Sequence, residues 1–379
     1  MDFTLSKEHK LAQQLFREFS LNEVKPLAQE IDEQHRFPDE TVEKMKKYGF
    51  MGIPFSQELG GQGSDILTYI LAVEELGRVC GSTSVILSAH TSLCCCTIDD
   101  NGTPEQKEKF LRPLIDGRKL GAFALTEPEA GTDAAGQQTH AELVGDEYIL
   151  NGSKIFITNG GKADTFIVFA MTDRSKGTKG ISAFIVEKGT PGFETGPDEK
   201  KMGIHGSSTT ELIFIDCHIP KGNLLGREGK GFSIAMHTLD GGRIGIAAQA
   251  LGIAQGAMDV VVDYVKERKQ FGKPIAKFQN TQFKLAEMEM ELEAARYLVY
   301  RAAVKKDLGQ PYSFEAAMAK LKASRTAMWI TTRAVQMLGG YGYMQDYDLE
   351  RMMRDAKITE IYEGTSEVMQ MVISGNLLK

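Results

Sequence analysis

Apolar positions recur at helical spacing through the first third of the chain, change to strand-like runs in the middle, and return to helical spacing afterwards. Phe3 to Arg36 is charged and apolar-periodic, with Pro26 expected to kink or break it. Phe37-Pro38-Asp39 ends that segment and places Asp39 to cap the next helix. Ile53-Pro54-Phe55 and the loop Gly60-Gly61-Gln62-Gly63 follow, and Ser64-Asp65 opens an apolar helix from Ile66 to Val79. Thr103-Pro104-Glu105-Gln106 supplies a cap, a proline at the first helical position and an acid in the first turn.

From about residue 121 the short β-rich runs begin. Tyr148-Ile149-Leu150 and Lys154 to Thr158 flank Asn151-Gly152, which predicts a hairpin turn at that pair. Thr165 to Met171, Ile181 to Val186 and Glu211 to Ile215 are further candidate strands, and so many in about 100 residues predict a small barrel or sandwich. Beyond residue 226, Leu285, Met288, Leu292, Ala295, Leu298 and Ala302 form the stripe of a packed helix. Helical segments near 228–271, 278–308, 313–338 and 346–375 predict a four-helix bundle. The expected fold class is mainly α with a β domain: a helical domain over 1–120, a β-barrel over 121–225 and the bundle over 226–379.

Composition narrows the chemistry. Lys+Arg 44 against Asp+Glu 51 leaves −7, with no basic block suited to a nucleic-acid backbone. No uninterrupted apolar stretch reaches the ~18 residues of a membrane span, and the first residues do not read as a signal peptide. Five cysteines, three of them adjacent (Cys94-Cys95-Cys96), suit a reducing cytoplasm better than a disulfide framework. They read as small buried hydrophobes, and the seven histidines show no metal-ligand spacing, so no metal is expected. Phosphate-loop, Rossmann and serine-hydrolase signatures are absent.

Two stretches hold candidate chemistry. Gly121 to Asp133 joins a strand-like start to a Gly/Pro loop carrying Thr126 and Thr132, able to offer N–H groups and hydroxyls to a polar ring or phosphate. Near the C-terminus, Glu363 sits between Tyr362 and Gly364. Such a carboxylate is either a desolvated base or an exposed acid before a helix capped by Thr365 or Ser366, and the residues alone favour the second.

Taken together, six ordered motifs resemble the acyl-CoA dehydrogenase family over essentially the whole chain, closest to bacterial short-chain (butyryl-CoA) members. They are Leu125-Thr126-Glu127-Pro128 with Gly131-Thr132-Asp133, Asn151 to Asn159, Leu239-Asp240-Gly241-Gly242-Arg243, Arg268 with Phe271-Gly272, Gln336 with Gly339-Gly340, and Ile361 to Glu367. The resemblance implies that Glu363 is the base removing the α-proton of an acyl thioester, that the β-hydride passes to FAD, and that a trans-2-enoyl-CoA results. Enolate-like charge on the thioester carbonyl would be stabilised by the Glu363 N–H and an FAD hydroxyl.

By the same resemblance Leu125, Thr126, Gly131, Thr132, Phe156 and Thr158 meet the flavin and diphosphate, while Thr365 and Glu367 lie by the adenosine end. Arg268, Phe271, Gln336 and Gly340 reach FAD from a neighbouring subunit, which implies a homo-oligomer, usually a tetramer. Asp240, Arg243 and Gly364 are assigned to the acyl-CoA substrate. Branched-chain relatives carry their base where this chain has Gly242, which again points to Glu363. Glu129, Ala124 and Asp348 depart from the family pattern without touching the base. The expected partners are a short-chain acyl-CoA and an electron-transferring flavoprotein. Rival readings are another chain length or a branched substrate, an acyl-CoA oxidase, or a non-catalytic helical interaction protein.

Overall fold

The computed structural model describes residues 4–379, so the expected helical start at Phe3 and the residues before it lie outside the described part. The chain opens with α1 (Lys7–Phe19), α2 (Lys25–Gln34), α3 (Asp39–Lys47), α4 (Ile66–Gly77), α5 (Gly81–Ser88), α6 (Cys96–Asn101), α7 (Pro104–Gln106) and α8 (Arg112–Ile115). A π turn over Ser20–Val24 separates α1 from α2, and Pro26 lies in the first turn of α2, where its missing N–H costs nothing. Asp65 caps α4 by accepting from Thr68 N at 2.8 Å, and Thr103 with Gln106 forms a capping box. Asp39 is not the cap expected of it. It is the first residue of α3, and its carboxylate pairs with Lys162 instead.

The middle of the chain contributes β1 (Gly121–Ala124), β2 (His140–Val144), β3 (Glu147–Thr158), β4 (Thr165–Met171), β5 (Ile181–Glu187), β6 (Phe193–Asp198), β7 (Thr209–Pro220) and β8 (Leu224–Leu225). They form one sheet in the order β6-β7-β3-β2-β4-β5-β8, with β1 added parallel to β4. The sheet curls round its own core of Tyr148, Phe166, Phe184, Phe193 and Phe214, and no ladder joins β6 to β8 among the described residues. The other face of β4 and β5 packs Ile167, Phe169 and Ile185 against Phe110, Leu111 and Leu114 of the helices. Burial on both faces explains why Thr165–Met171 reads as one apolar run rather than alternating.

The hairpin expected at Asn151-Gly152 is absent. β3 runs straight through that pair, and the two-residue turn lies earlier, at Gly145-Asp146, between Val144 and its partner Glu147. Gly152 (φ 142°) instead accommodates a register shift against β7, where a Cβ would lie 2.6 Å from Thr139 Oγ1. Asn151 bridges the irregularity by accepting Asp216 N at 2.8 Å.

The remainder is α9 (Gly231–Glu267), the short ribbon β9 (Lys269–Gln270) and β10 (Lys273–Pro274), α10 (Gln279–Asp307), α11 (Ser313–Leu338), α12 (Asp348–Ile358) and α13 (Ser366–Leu377). By length and composition α9 could cross a membrane, but Gly241 to Ala254 is buried without interruption inside the protein. It packs directly on α4: a Cβ at Gly252 or Gly256 would strike the Glu74 or Arg78 carbonyl. The single helix expected over 346–375 is two, because Glu363 (φ 52°) and Gly364 (φ 101°) take left-handed backbone between α12 and α13. All five cysteines are free; four are buried and Cys96 is half-buried. Among the described residues no group of His, Cys, Asp or Glu is arranged to hold a metal ion.

Candidate active site

The break between α12 and α13 is where the chemistry converges. Thr365 caps α13 by accepting from Val368 N at 3.4 Å, so the helix-capping role read from the sequence is real. The accompanying expectation of an exposed Glu363 is not. Its carboxylate turns inward against α9, where a Cβ on Gly242 would collide with Oε2 and would also lie 2.6 Å from Leu93. Oε2 is buried with no hydrogen-bond partner among the described residues. Burial pushes the Glu363 carboxyl up to about 8, although the charges of Lys320 and Arg243 pull the other way. The hydrogen bonds of the loop leave the Glu363 N–H without an acceptor among the described residues.

Two helices, α9 and α11, hold this loop. Arg243 of α9 donates from Nε to the Glu363 carbonyl at 3.3 Å and from Nη1 to Asp240 at 2.6 Å. Asp240 also accepts from Ser313 Oγ at 3.0 Å, tying α9 to α11. Lys320 of α11 donates to the Gly364 carbonyl at 2.6 Å. On the other side the Tyr362 hydroxyl donates to Gln249, whose amide nitrogen donates to the Gly81 carbonyl at 2.9 Å. Asp240, Arg243, Glu363 and Gly364 thus form one cluster. Lys320, Gln249 and Leu93 belong to it and were not singled out. Each stands in an apolar helical stripe, where sequence alone cannot tell a core position from the wall of a site.

A second group lies on the sheet. Ile155 N donates to the Thr126 carbonyl at 2.9 Å, bringing the Leu125-Thr126 segment beside Phe156 and Thr158. Phe156 is 62% exposed and has φ 59°, unusual for a bulky residue within a strand. Beneath it Lys154 is fully buried, with its ammonium 2.6 Å from Glu127 Oε1 and 3.1 Å from both the Leu125 carbonyl and Gln137 Oε1. Glu127 in turn accepts from the Gln138 and Thr139 N–H groups. Both ends of this ion pair sit inside quoted motifs, yet neither was assigned a role. Gly131 and Thr132 stand on the exposed edge of the same loop, and a Cβ at Gly131 would meet nothing within 4 Å.

The third group is separate. A cleft of about 610 Å³ gathers Arg268, Gln336 and Gly340 with Tyr264, Gly339 and Tyr341. The Arg268 guanidinium lies over the Tyr341 ring at 5.4 Å, and Phe271 stands 93% exposed at φ 52°. Neither the Glu363 loop nor any of β1–β8 lines this cleft. Glu367 lies in the first turn of α13, where its own backbone N–H and the Thr365 hydroxyl hold its carboxyl below the ordinary range.

Comparison with known proteins supplies the family. The acyl-CoA dehydrogenase N-terminal domain matches residues 6–118, the middle domain 122–217 and the C-terminal domain 229–378. The chain belongs to the acyl-CoA dehydrogenase family. It is 63% identical over 379 residues to the short-chain-specific acyl-CoA dehydrogenase of Clostridium acetobutylicum, with all of both chains covered. Butyryl-CoA dehydrogenase of Megasphaera elsdenii has the same structure at a TM-score of 0.98 and 55% identity, again over both whole chains. A chain in the structure of the electron transferring flavoprotein of Acidaminococcus fermentans matches at a TM-score of 0.99 and 58% identity over both whole chains. An acyl-CoA dehydrogenase complexed with FAD from Bacillus anthracis matches at 0.93 and 37%, covering 99% of this chain and 67% of that one.

Proposed function

We propose that this protein is a cytoplasmic FAD-dependent short-chain acyl-CoA dehydrogenase. It interconverts butyryl-CoA and crotonyl-CoA and exchanges electrons with an electron-transferring flavoprotein. The observation that carries the reading is Glu363: a carboxylate on left-handed backbone, aimed inward, with a buried oxygen that nothing among the described residues satisfies. Burial makes it a stronger base than an ordinary glutamate once ionised, as removal of a weakly acidic α-proton demands. Its own free N–H is available to the thioester oxygen as negative charge develops there. Arg243 and Asp240 lie on the same side and suit the polar length of CoA.

The residues fit FAD. Phe156 offers an exposed flat face, Thr158 a hydroxyl beside it, and Leu125-Thr126 a backbone edge fixed by the buried Lys154–Glu127 pair. The open space at Gly131 and Thr132 suits a diphosphate, and Thr365 and Glu367 suit the adenosine end. Bound there, FAD accepts the β-hydrogen together with its electron pair. The exposed cluster of Arg268, Phe271, Gln336 and Gly340 is assigned to FAD of a neighbouring subunit, since its cleft shares no residue with the other two groups. Phe283, Met290 and Val304 leave an apolar stripe exposed along α10, continued by Leu308 just past its end, which supports association of bundles into a tetramer. The domain division at 120/121 and 225/226 is part of the same reading.

The purified protein should be yellow, and anaerobic butyryl-CoA should bleach its flavin absorbance. Glu363→Gln should keep the flavin and bind acyl-CoA while bleaching several orders of magnitude more slowly. Bound flavin that no short- or medium-chain acyl-CoA bleaches would refute the assignment.

A further inference from the structure

Lys320 lies in the third turn of α11 with no part of its side chain exposed. An ammonium inside a helix bundle is costly unless something in the fold needs it, and an apolar side chain of similar length would pack there at less cost. The other buried charged residue on α11, Glu315, is already engaged by Arg301 and Lys305. Lys320 has one hydrogen-bond partner among the described residues, the Gly364 carbonyl at 2.6 Å. The preceding carbonyl, that of Glu363, accepts from Arg243 at 3.3 Å. Two buried cations from two different helices therefore hold two consecutive carbonyls, and both residues have positive φ. Glycine adopts that backbone freely; glutamate does so only when its surroundings enforce it.

We propose that Lys320 is a positioning residue for proton abstraction: it pins the Gly364 carbonyl, and thereby the turn that aims Glu363, and its positive charge favours the ionised carboxylate. The inference rests on Glu363 being the base. Arg243 of α9 also faces Glu363, but its charge is shared with Asp240. Tyr69 of α4 and Tyr362 of the loop are uncharged, since the loss of their own protons is pushed upward by burial. Glu360 and Glu367 act on Lys320 rather than on the base. Lys320 is thus the one cation near Glu363 without a carboxylate hydrogen-bonded to it among the described residues. Burial lowers it to about 8, the range to which Glu363 is raised, so the two titrate as a pair.

Lys320→Met keeps the length and removes the charge and the donor; Lys320→Arg keeps the charge. The flavin-loaded oligomer is reduced anaerobically by butyryl-CoA across pH. In parallel, Glu363 is titrated without substrate by its infrared carboxyl band, recognised by its loss in Glu363→Gln. Lys320→Met should slow flavin reduction at neutral pH by about tenfold to a hundredfold with KM little changed. It should also raise the Glu363 titration by about one pH unit in both readouts, and Lys320→Arg should restore most of that shift. An unmoved titration in Lys320→Met, or a loss confined to KM, overturns the proposal. If Lys320→Met does not fold, Lys320→Gln, which can still donate to Gly364, decides: a raised titration supports the proposal and a wild-type titration overturns it. Failure of butyryl-CoA to bleach the wild type would overturn the assigned function instead.

Discussion

Replacing Glu127 by glutamine keeps its shape and removes only its charge. In the wild type that charge lies 2.6 Å from the fully buried Lys154 ammonium, whose remaining acceptors, the Leu125 carbonyl and Gln137 Oε1, are neutral and 3.1 Å away. Breaking one side of a buried ion pair costs about 3–5 kcal/mol. Proton equilibrium sets the ceiling. An unpaired Lys154 sheds its proton rather than stay charged, and deprotonating a lysine of ordinary pKa 10.5 at pH 7 costs about 5 kcal/mol. The pH dependence follows from the same residue. Burial holds Lys154 at about 8 in the wild type, and loss of Glu127 moves it lower still. Between that lower value and 8 the unfolded variant binds a proton that the folded variant lacks, while the folded wild type retains its own. The variant therefore gains stability relative to wild type as pH rises through this window, and above about 8 its deficit stops shrinking. Urea unfolding of the flavin-loaded protein, followed by circular dichroism and flavin release, measures it. Flavin should also be lost more readily, since Lys154 holds the Leu125 carbonyl. A deficit below about 1 kcal/mol, or one equal at pH 6 and pH 9, would refute the reasoning.

With Glu363 as the proposed base, raised to about 8 and active only when ionised, kcat/KM for flavin reduction should climb with pH to a plateau above that value. A flat profile from pH 6 to 9 would exclude a buried base. Gly242→Ala should place a methyl group against the Glu363 carboxylate and Leu93, slowing reduction at least tenfold while leaving flavin content unchanged. Equal rates would show that the carboxylate does not occupy that position. If the proposed tetramer associates through α10, Phe283→Glu with Met290→Glu should split it on a sizing column and weaken flavin retention; a tetramer that persists would remove α10 from the interface.

Local sequence was enough wherever the determining contacts are local. Asp65 and Thr103 cap their helices because a cap needs only the next three residues, and Pro26 sits in the first turn of α2, where its missing N–H is tolerated. Asn151-Gly152 misled for the converse reason. Its backbone freedom serves a turn or a bulge equally, and the choice belonged to Thr139 and Asp216, which only the folded sheet brings alongside. Glu363 is the sharpest case. Its neighbours support either an exposed acid before a capped helix or a buried base, and Thr365 does cap that helix.

The sequence by itself determined the order of helical and β segments, most caps and breaks, and the motifs that point to flavin and acyl-CoA. Tertiary structure decided the rest. It turned Glu363 inward by packing the loop against Gly242, buried Lys320 and Lys154 where each could hold a carbonyl, and separated the Arg268 cleft from the sheet residues assigned to the same cofactor. The physical reason is that burial, and with it the strength of a charge or a base, is set by atoms distant in the chain. Residues 242, 320 and 363 acquire their chemistry only when three helical segments close around one loop.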